Sequence, residues 1–256
     1  MLICGVDLET TGLTDKDRII EIGAVLFDDT FTATDRIFST FVKQSIPITP
    51  LIKELTGITD EQVANGVEPI QALNYLVEFS KNADIFCAHN KAFETGFIKQ
   101  EADSCKFEYP KEFGAKQWIC SKEDVKKFQT AKCRKLSHLA ADYRVDLLKY
   151  TLHRSVNDVL LMGELLKAAN VTGTEMLAYA LEPWIYLEAL THPPWKDQGV
   201  STGLAKADGY GWEKCVGSHL PVFPKMWVKR VKQSEIENEK AKQVGFQRTV
   251  INQKEV

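Results

Sequence analysis

Apolar residues come in short runs over the first part of the chain. Ile3 to Leu8 reads as a strand, Arg18 to Phe27 as a second and Asp35 to Val42 as a third. The links between them are short enough for hairpins rather than crossovers. Ile46 to Thr59 carries two prolines and Gly57, which predicts a loop holding a short helix. Thr59 with Gln62 three residues on has the form of a capping box that opens another. From Glu68 to Asn82 the period changes, with Ile70, Leu73, Leu76, Val77 and Phe79 near helical spacing. Ala83 to Ala88 is then a fourth strand, Lys91 to Ala102 a helix, Gln117 to Cys120 a short fifth strand and Lys135 to Tyr143 a helix. Ser155 to Ala168 is a clear amphipathic helix. A three-strand meander followed by alternating strand and helix predicts an α/β fold, a mixed sheet with flanking helices.

The composition shifts near Asn170 to Gly173, and we place a boundary at 172. It separates a domain over 1–172 from a C-terminal extension over 173–256. The extension holds a helix-like run from Thr174 to Leu190, then Pro193-Pro194-Trp195 and a Gly-rich middle. A basic aromatic stretch follows from Pro224 to Lys232, and the last twenty-odd residues are polar enough to be loosely ordered.

A net charge of −3 gives no overall basic excess, so any contact with nucleic acid must come from local patches. The six cysteines, at 4, 87, 105, 120, 133 and 215, show no CxxC or Cys/His spacing. That argues against zinc and for free thiols in a reducing compartment. No run approaches the roughly eighteen apolar residues of a membrane span, and Asp7 and Glu9 interrupt any signal-like segment. The expectation is a cytoplasmic protein that makes no membrane contact.

The chemistry begins at Asp7 and Glu9. Alternate strand positions share a face, so both carboxylates project the same way from an apolar run. Adjacent like charges resist ionisation unless a cation lies between them, and oxygen ligands favour a hard divalent ion. Solvation or pairing with Lys or Arg is the alternative. Glu94 falls in the first turn of the helix after the fourth strand, as a third ligand or as an acid favoured by the helix dipole. Asn90 is best read as the cap of that helix, with substrate contact as its second reading. Asp158 lies three residues after Ser155, so it is either a capping partner or a ligand. His153 precedes the helix in a wet loop, a suitable place for a general base.

Three segments, Asp7-x-Glu9-Thr10-Thr11-Gly12, His89-Asn90-x-x-Phe93-Glu94 and His153-x-x-x-x-Asp158, together resemble the motifs of the DEDDh 3′→5′ exonucleases. Arg18-Ile-Ile-Glu-Ile-Gly and Leu55-Thr56-Gly57-Ile58-Thr59 look like further family segments, and the likeness spans roughly residues 1–168. One position departs from the pattern, because the second motif ordinarily supplies Asp where this chain has Glu94. The extra methylene displaces the carboxylate by roughly 1.5 Å on a fixed backbone. Glu can fold back, and metals accept carboxylates in several modes, so activity is expected to survive with altered metal preference.

The resemblance implies a ribonuclease H-like fold, a mixed five-stranded sheet with flanking helices. It also implies that Asp7, Glu9, Glu94 and Asp158 hold two divalent ions, Mg²⁺ or Mn²⁺, and that His153 is the base in release of nucleoside 5′-monophosphates. Thr10, Thr11 and Leu13 match positions where family members pack the terminal sugar and base. Lys122, Lys126, Lys127, Lys132, Arg134 and Lys135 form a basic run, either a solvated face or a phosphate track, with Lys127 and Lys132 taken as substrate contacts. Single-stranded or frayed DNA is the expected substrate, in preference to RNA, with a replication or repair protein as a candidate partner. The alternatives are an exoribonuclease and a single-strand-binding module whose catalysis has weakened through Glu94. The extension is a candidate for substrate or partner binding, and Trp227 within it serves either a strand contact or packing.

Overall fold

A computed structural model describes residues 1–190, 205–213, 226–244 and 246–251. They form two compact units, Met1–Ala180 and Leu181–Val256. The first unit is built on β1 (Ile3–Thr10), β2 (Ile19–Phe27), β3 (Ala33–Phe41), β4 (Ile85–Ala88) and β5 (Trp118–Cys120), in the order β3-β2-β1-β4-β5. The β1–β2 and β2–β3 pairs are antiparallel, whereas β1–β4 and β4–β5 are parallel. This is the expected mixed five-stranded sheet with flanking helices. Every position of β2 is buried, consistent with a strand covered on both faces. The edge strand β3 is mostly polar and exposed, which discourages pairing with another chain.

The helices are α1 (Pro50–Thr56), α2 (Asp60–Ala64), α3 (Pro69–Ser80), α4 (Lys91–Cys105), α5 (Lys111–Gly114), α6 (Leu136–Asp142), α7 (Ser155–Ala168) and α8 (Gly173–Leu181). Gly57 ends α1 in the left-handed region at φ 69°, and the capping box of Thr59 and Gln62 is present at α2. Side-chain alternation along β1 divides the core. Cys4, Val6 and Leu8 pack with Leu73, Leu76 and Phe97 from α3 and α4. Ile3 packs on the other face with Val159, Met162 and Leu166 of α7. Asp7 and Glu9 share the parity of Ile3 and so face α7.

The first unit extends to Ala180 rather than to 172. Helix α8 buries Gly173, Met176 and Tyr179, and Met176 joins the same core as α7. Asp29 anchors the start of α8 by accepting from Thr174 N at 2.9 Å. The helix-like run to Leu190 also divides. It ends at Leu181, and after Pro183 the β-branched and aromatic residues form β6 (Trp184–Leu190).

The second unit adds β7 (Gly211–Glu213), β8 (Met226–Lys232), α9 (Ile236–Ala241) and β9 (Gln247–Ile251) in an antiparallel sheet ordered β7-β8-β6-β9. The described part of the tail is therefore folded, held by the pairing of β9 with β6. Pro193-Pro194-Trp195, Pro224 and Lys225 lie outside the described residues. Strand β8 spends much of its charge internally. Lys229 Nζ pairs with Glu239 at 2.8 Å and Asp208 at 3.4 Å. Lys232 Nζ donates to the Glu182 carbonyl at 2.9 Å and stands 4.2 Å from the centre of the Trp184 ring. Trp227 packs against the core around Leu187 and Val231.

Candidate active site

Strand register places the two carboxylates of β1 opposite two residues of β2, Asp7 against Gly23 and Glu9 against Glu21. Helix α7 lies on that face. Asp158, in its first turn, completes a cluster with Asp7 and Glu9 in which the carboxylate oxygens lie within 4.8 Å of one another. Glu94, in the first turn of α4, is buried close by, and its Oε2 has no hydrogen-bond partner. Asp158 Oδ1 is buried and unpartnered in the same way. Orphaned buried oxygens are costly unless something satisfies them.

Electrostatics say the same. Burial first, then repulsion from Glu94, Asp158, Glu9 and Glu21, push Asp7 well above the usual carboxylate range. Glu9 is pushed up to about 8 by burial, with Asp158 and Glu21 adding and Arg154 opposing. Burial takes Glu94 to about 8 against the pull of its own backbone hydrogen bond and of Lys122. Asp158 is raised chiefly by burial, against the opposing charge of His153. An all-oxygen donor set with unused lone pairs and mutual repulsion fits a hard divalent cation.

Ser155 is not the N-cap of α7. Arg154 holds that position without a side-chain cap bond, and Ser155 opens the helix with a buried Oγ that finds no partner. Asp158 therefore does not answer a capping serine. Its Oδ2 accepts instead from the backbone N–H of His153 at 3.3 Å. His153 is exposed and sits at φ 59°, a left-handed conformation uncommon outside glycine. Its ring borders a pocket of about 620 Å³ lined also by His89, Asn90, Lys122, Lys135 and His138.

Asn90 is the N-cap residue of α4 by position, but makes no side-chain cap bond. Thr10 Oγ1 donates to the Gly12 carbonyl at 2.6 Å, and Thr11 Oγ1 donates to Asp17 at 2.9 Å. This tight turn carries Leu13, which is 84% exposed. Lys127 stands apart from the acidic residues. Its Nζ donates to the Ala169 and Asn170 carbonyls beyond the end of α7. Lys132 is exposed and does not line the pocket. Arg134 reaches Gln129 Oε1 at 2.9 Å.

Three contributors to this geometry went unassigned in the sequence. Glu21 is the one acid in an otherwise apolar strand, and that isolation was the available signal. It accepts from Arg154 Nη2 at 2.7 Å and from Ser155 N at 3.1 Å. Gly23 gives α7 room to approach, a need that sequence alone does not reveal. His89 is held down at about 4, chiefly by burial, and is therefore neutral at pH 7. Its Nε2 must then donate to the Arg134 carbonyl at 2.9 Å, leaving Nδ1 to accept from Ser121 Oγ at 2.7 Å.

The family model described as exonuclease matches residues 4–166. A DNA polymerase III PolC-type protein of Caldanaerobacter subterraneus subsp. tengcongensis is 34% identical over 164 residues, covering 62% of this chain and 11% of that protein. The chain thus spans about a tenth of that relative's length. DNA polymerase III subunit epsilon of Escherichia coli is 28% identical over 183 residues, covering 69% and 74%. In fold, the chain resembles E. coli exonuclease I in complex with a dT13 oligonucleotide, with a TM-score of 0.62 at 13% identity over 90% of this chain and 63% of that one. It also resembles the nuclease domain of 3′hExo, a DEDDh family member bound to rAMP, with a TM-score of 0.56 at 20% identity over 64% and 88%.

Proposed function

Because the chain belongs to the exonuclease family, with its acids and histidine in DEDDh order apart from Glu94 in place of the second-motif Asp, we propose that it shortens single-stranded or frayed DNA from the 3′ end and releases nucleoside 5′-monophosphates. The observation that carries this reading is the convergence of Asp7, Glu9 and Asp158 within 4.8 Å, with His153 hydrogen-bonded through its backbone to Asp158. Asp7, Glu9 and Asp158 would hold divalent metal, two ions of Mg²⁺ or Mn²⁺, with Glu94 closing the acidic wall. When bound, such ions stabilise charge on the attacking and leaving oxygens of an in-line displacement. His153 takes the proton of the attacking water. Its exposed ring lets the proton pass on to solvent between turnovers. Water adds to the terminal phosphodiester, the 3′ oxygen of the shortened strand leaves, and that oxygen regains a proton.

The remaining residues deliver substrate. Lys122 and Lys135 border the pocket beside His153 and offer positive charge to backbone phosphates. The turn of Thr10, Thr11 and Leu13 presents an apolar side chain for the terminal base to pack against. The names of the polymerase relatives support a replication or repair protein as partner. Among the described residues no helix is long and apolar enough to cross a membrane.

The deciding experiment uses a 3′-labelled single strand with Mg²⁺ or Mn²⁺, with EDTA as control and a matched RNA in parallel. Release of labelled 5′-monophosphate from DNA, abolished by EDTA, is the expected result. Intact label across a metal series would return the chain to a binding role, and faster release from RNA would reassign the substrate.

A further inference from the structure

We propose that Glu21 and Arg154 form a positioning clamp that sets His153 and Asp158 against the carboxylates of β1. The proposal rests on the exonuclease reading above. Glu21 is 1% exposed and lies opposite Glu9 in the strand pair. Its Oε1 accepts from Arg154 Nη2 at 2.7 Å, and its Oε2 accepts from both Arg154 Nε at 3.3 Å and Ser155 N at 3.1 Å. The guanidinium also stands 5.5 Å from the centre of the Phe41 ring. One carboxylate thus grips the residue before α7 and the first residue of α7 together.

Those gripped residues stand directly after His153. A non-glycine residue at positive φ is strained and persists only where its surroundings hold it. His153 is held on one side by Asp158 and on the other by the clamped Arg154. Because Glu9 and Glu21 are register partners, the clamp refers the helix to the strand that carries the metal-holding acids. The half-buried Arg154 guanidinium has two of its nitrogens committed to Glu21. A planar bidentate fork gives it orientational control that a lysine lacks.

The test uses the full chain with Arg154→Gln, Glu21→Gln, the double variant and Arg154→Lys. Each is followed by kcat and KM on the 3′-labelled strand, by Mn²⁺ affinity from electron paramagnetic resonance without nucleic acid, and by Tm. Each Gln variant is expected to lose about 10- to 100-fold in kcat, with KM within about threefold and Mn²⁺ held severalfold more weakly. The double variant is expected to be no worse than the poorer single variant, because the two side chains act as one device. Arg154→Lys should recover part of the loss. Wild-type kcat and Mn²⁺ affinity with only a lowered Tm would overturn the clamp, as would losses that multiply in the double variant. A rise in KM at unchanged kcat would instead make Arg154 a substrate contact and also overturn it. The Mn²⁺ measurement stands even where no nucleic acid is cut, so failure of the exonuclease reading and failure of the clamp are distinguishable. Should Glu21→Gln fail to fold, the two Arg154 variants still decide.

Discussion

Gly23 is the seat of Ser155: a Cβ placed on Gly23 would fall 2.5 Å from Ser155 Oγ and equally close to Val156 N. Since Gly23 is also the strand partner of Asp7, it helps set how closely the start of α7 approaches the sheet beside that acid. Gly23→Ala must push the start of α7 outward, because two of the obstructing atoms, Val156 N and Ser155 C, are backbone. We expect a stability loss of about 1–3 kcal/mol by urea denaturation. Mn²⁺ affinity should fall with it, as Asp158 moves off Asp7 and Glu9. Unchanged Mn²⁺ affinity would show that the approach of the helix does not govern the cluster.

Removing a cluster acid separates catalysis from stability. Asp7→Ala and Asp158→Ala are each expected to abolish 3′ cleavage while the metal-free chain stays folded, because each deletion relieves repulsion among the acids. Circular dichroism with the labelled-strand assay checks both halves. Wild-type rates in either variant would remove the assigned role.

Glu94→Asp shortens a buried side chain by one methylene, at a stability cost of about 1 kcal/mol. We expect cleavage to stay within about tenfold and the ratio of Mn²⁺- to Mg²⁺-supported rates to change. An unchanged ratio in side-by-side assays would show that the length of this side chain does not set metal preference.

The raised acids give metal-free stability a definite pH slope. Glu9 and Glu94 titrate near 8 in the folded chain against an ordinary 4.5, so the folded state keeps protons that the unfolded state has released. Stability from this source is full below about 4.5 and is lost as pH rises through 8. His89, held at about 4 instead of 6.5, works in the opposite direction, but only between those two values. The window from 6.5 to 8 therefore isolates the acids. In EDTA, Tm should fall across it. With Mn²⁺ the fall should be cancelled, because binding requires deprotonated ligands. A flat Tm in EDTA contradicts the shifts.

The basic run is expected to divide into two roles. Lys127→Ala should cost about 0.5–1 kcal/mol of stability by removing a cation from the end of α7, with little effect on cleavage. Lys135→Ala should raise KM for single-stranded DNA and reduce the salt slope by about 0.7. Salt-series kinetics on both variants separates the roles. Equal effects would return Lys127 to the substrate path.

Periodicity was enough for the sheet. The strand alternation that puts Asp7 and Glu9 on one face also puts Val6 and Leu8 into the opposite core, and α7 has the expected limits of Ser155 and Ala168. What stayed hidden depends on tertiary approach. A glycine in β2 looks like any glycine until a helix lands on it, and Ser155 looks like a cap until Glu21 takes its N–H. Lys127 reads as a substrate contact within the basic run, and only the fold shows its Nζ on the carbonyls of Ala169 and Asn170 at a helix end. Lys229 and Lys232 likewise read as a nucleic-acid track, whereas the fold turns them onto Glu239 and the Glu182 carbonyl.

The bond from Ser155 to Glu21 bridges 134 positions of chain. On a ribosome adding about 5–20 residues per second, the amino-terminal hairpin emerges roughly ten seconds before α7 can reach it. Throughout that interval the nascent polypeptide lacks Asp158, and the acidic cluster is incomplete. The proposed centre can close only once α7 has been made, and a product truncated ahead of α7 would lack the third acid of the cluster.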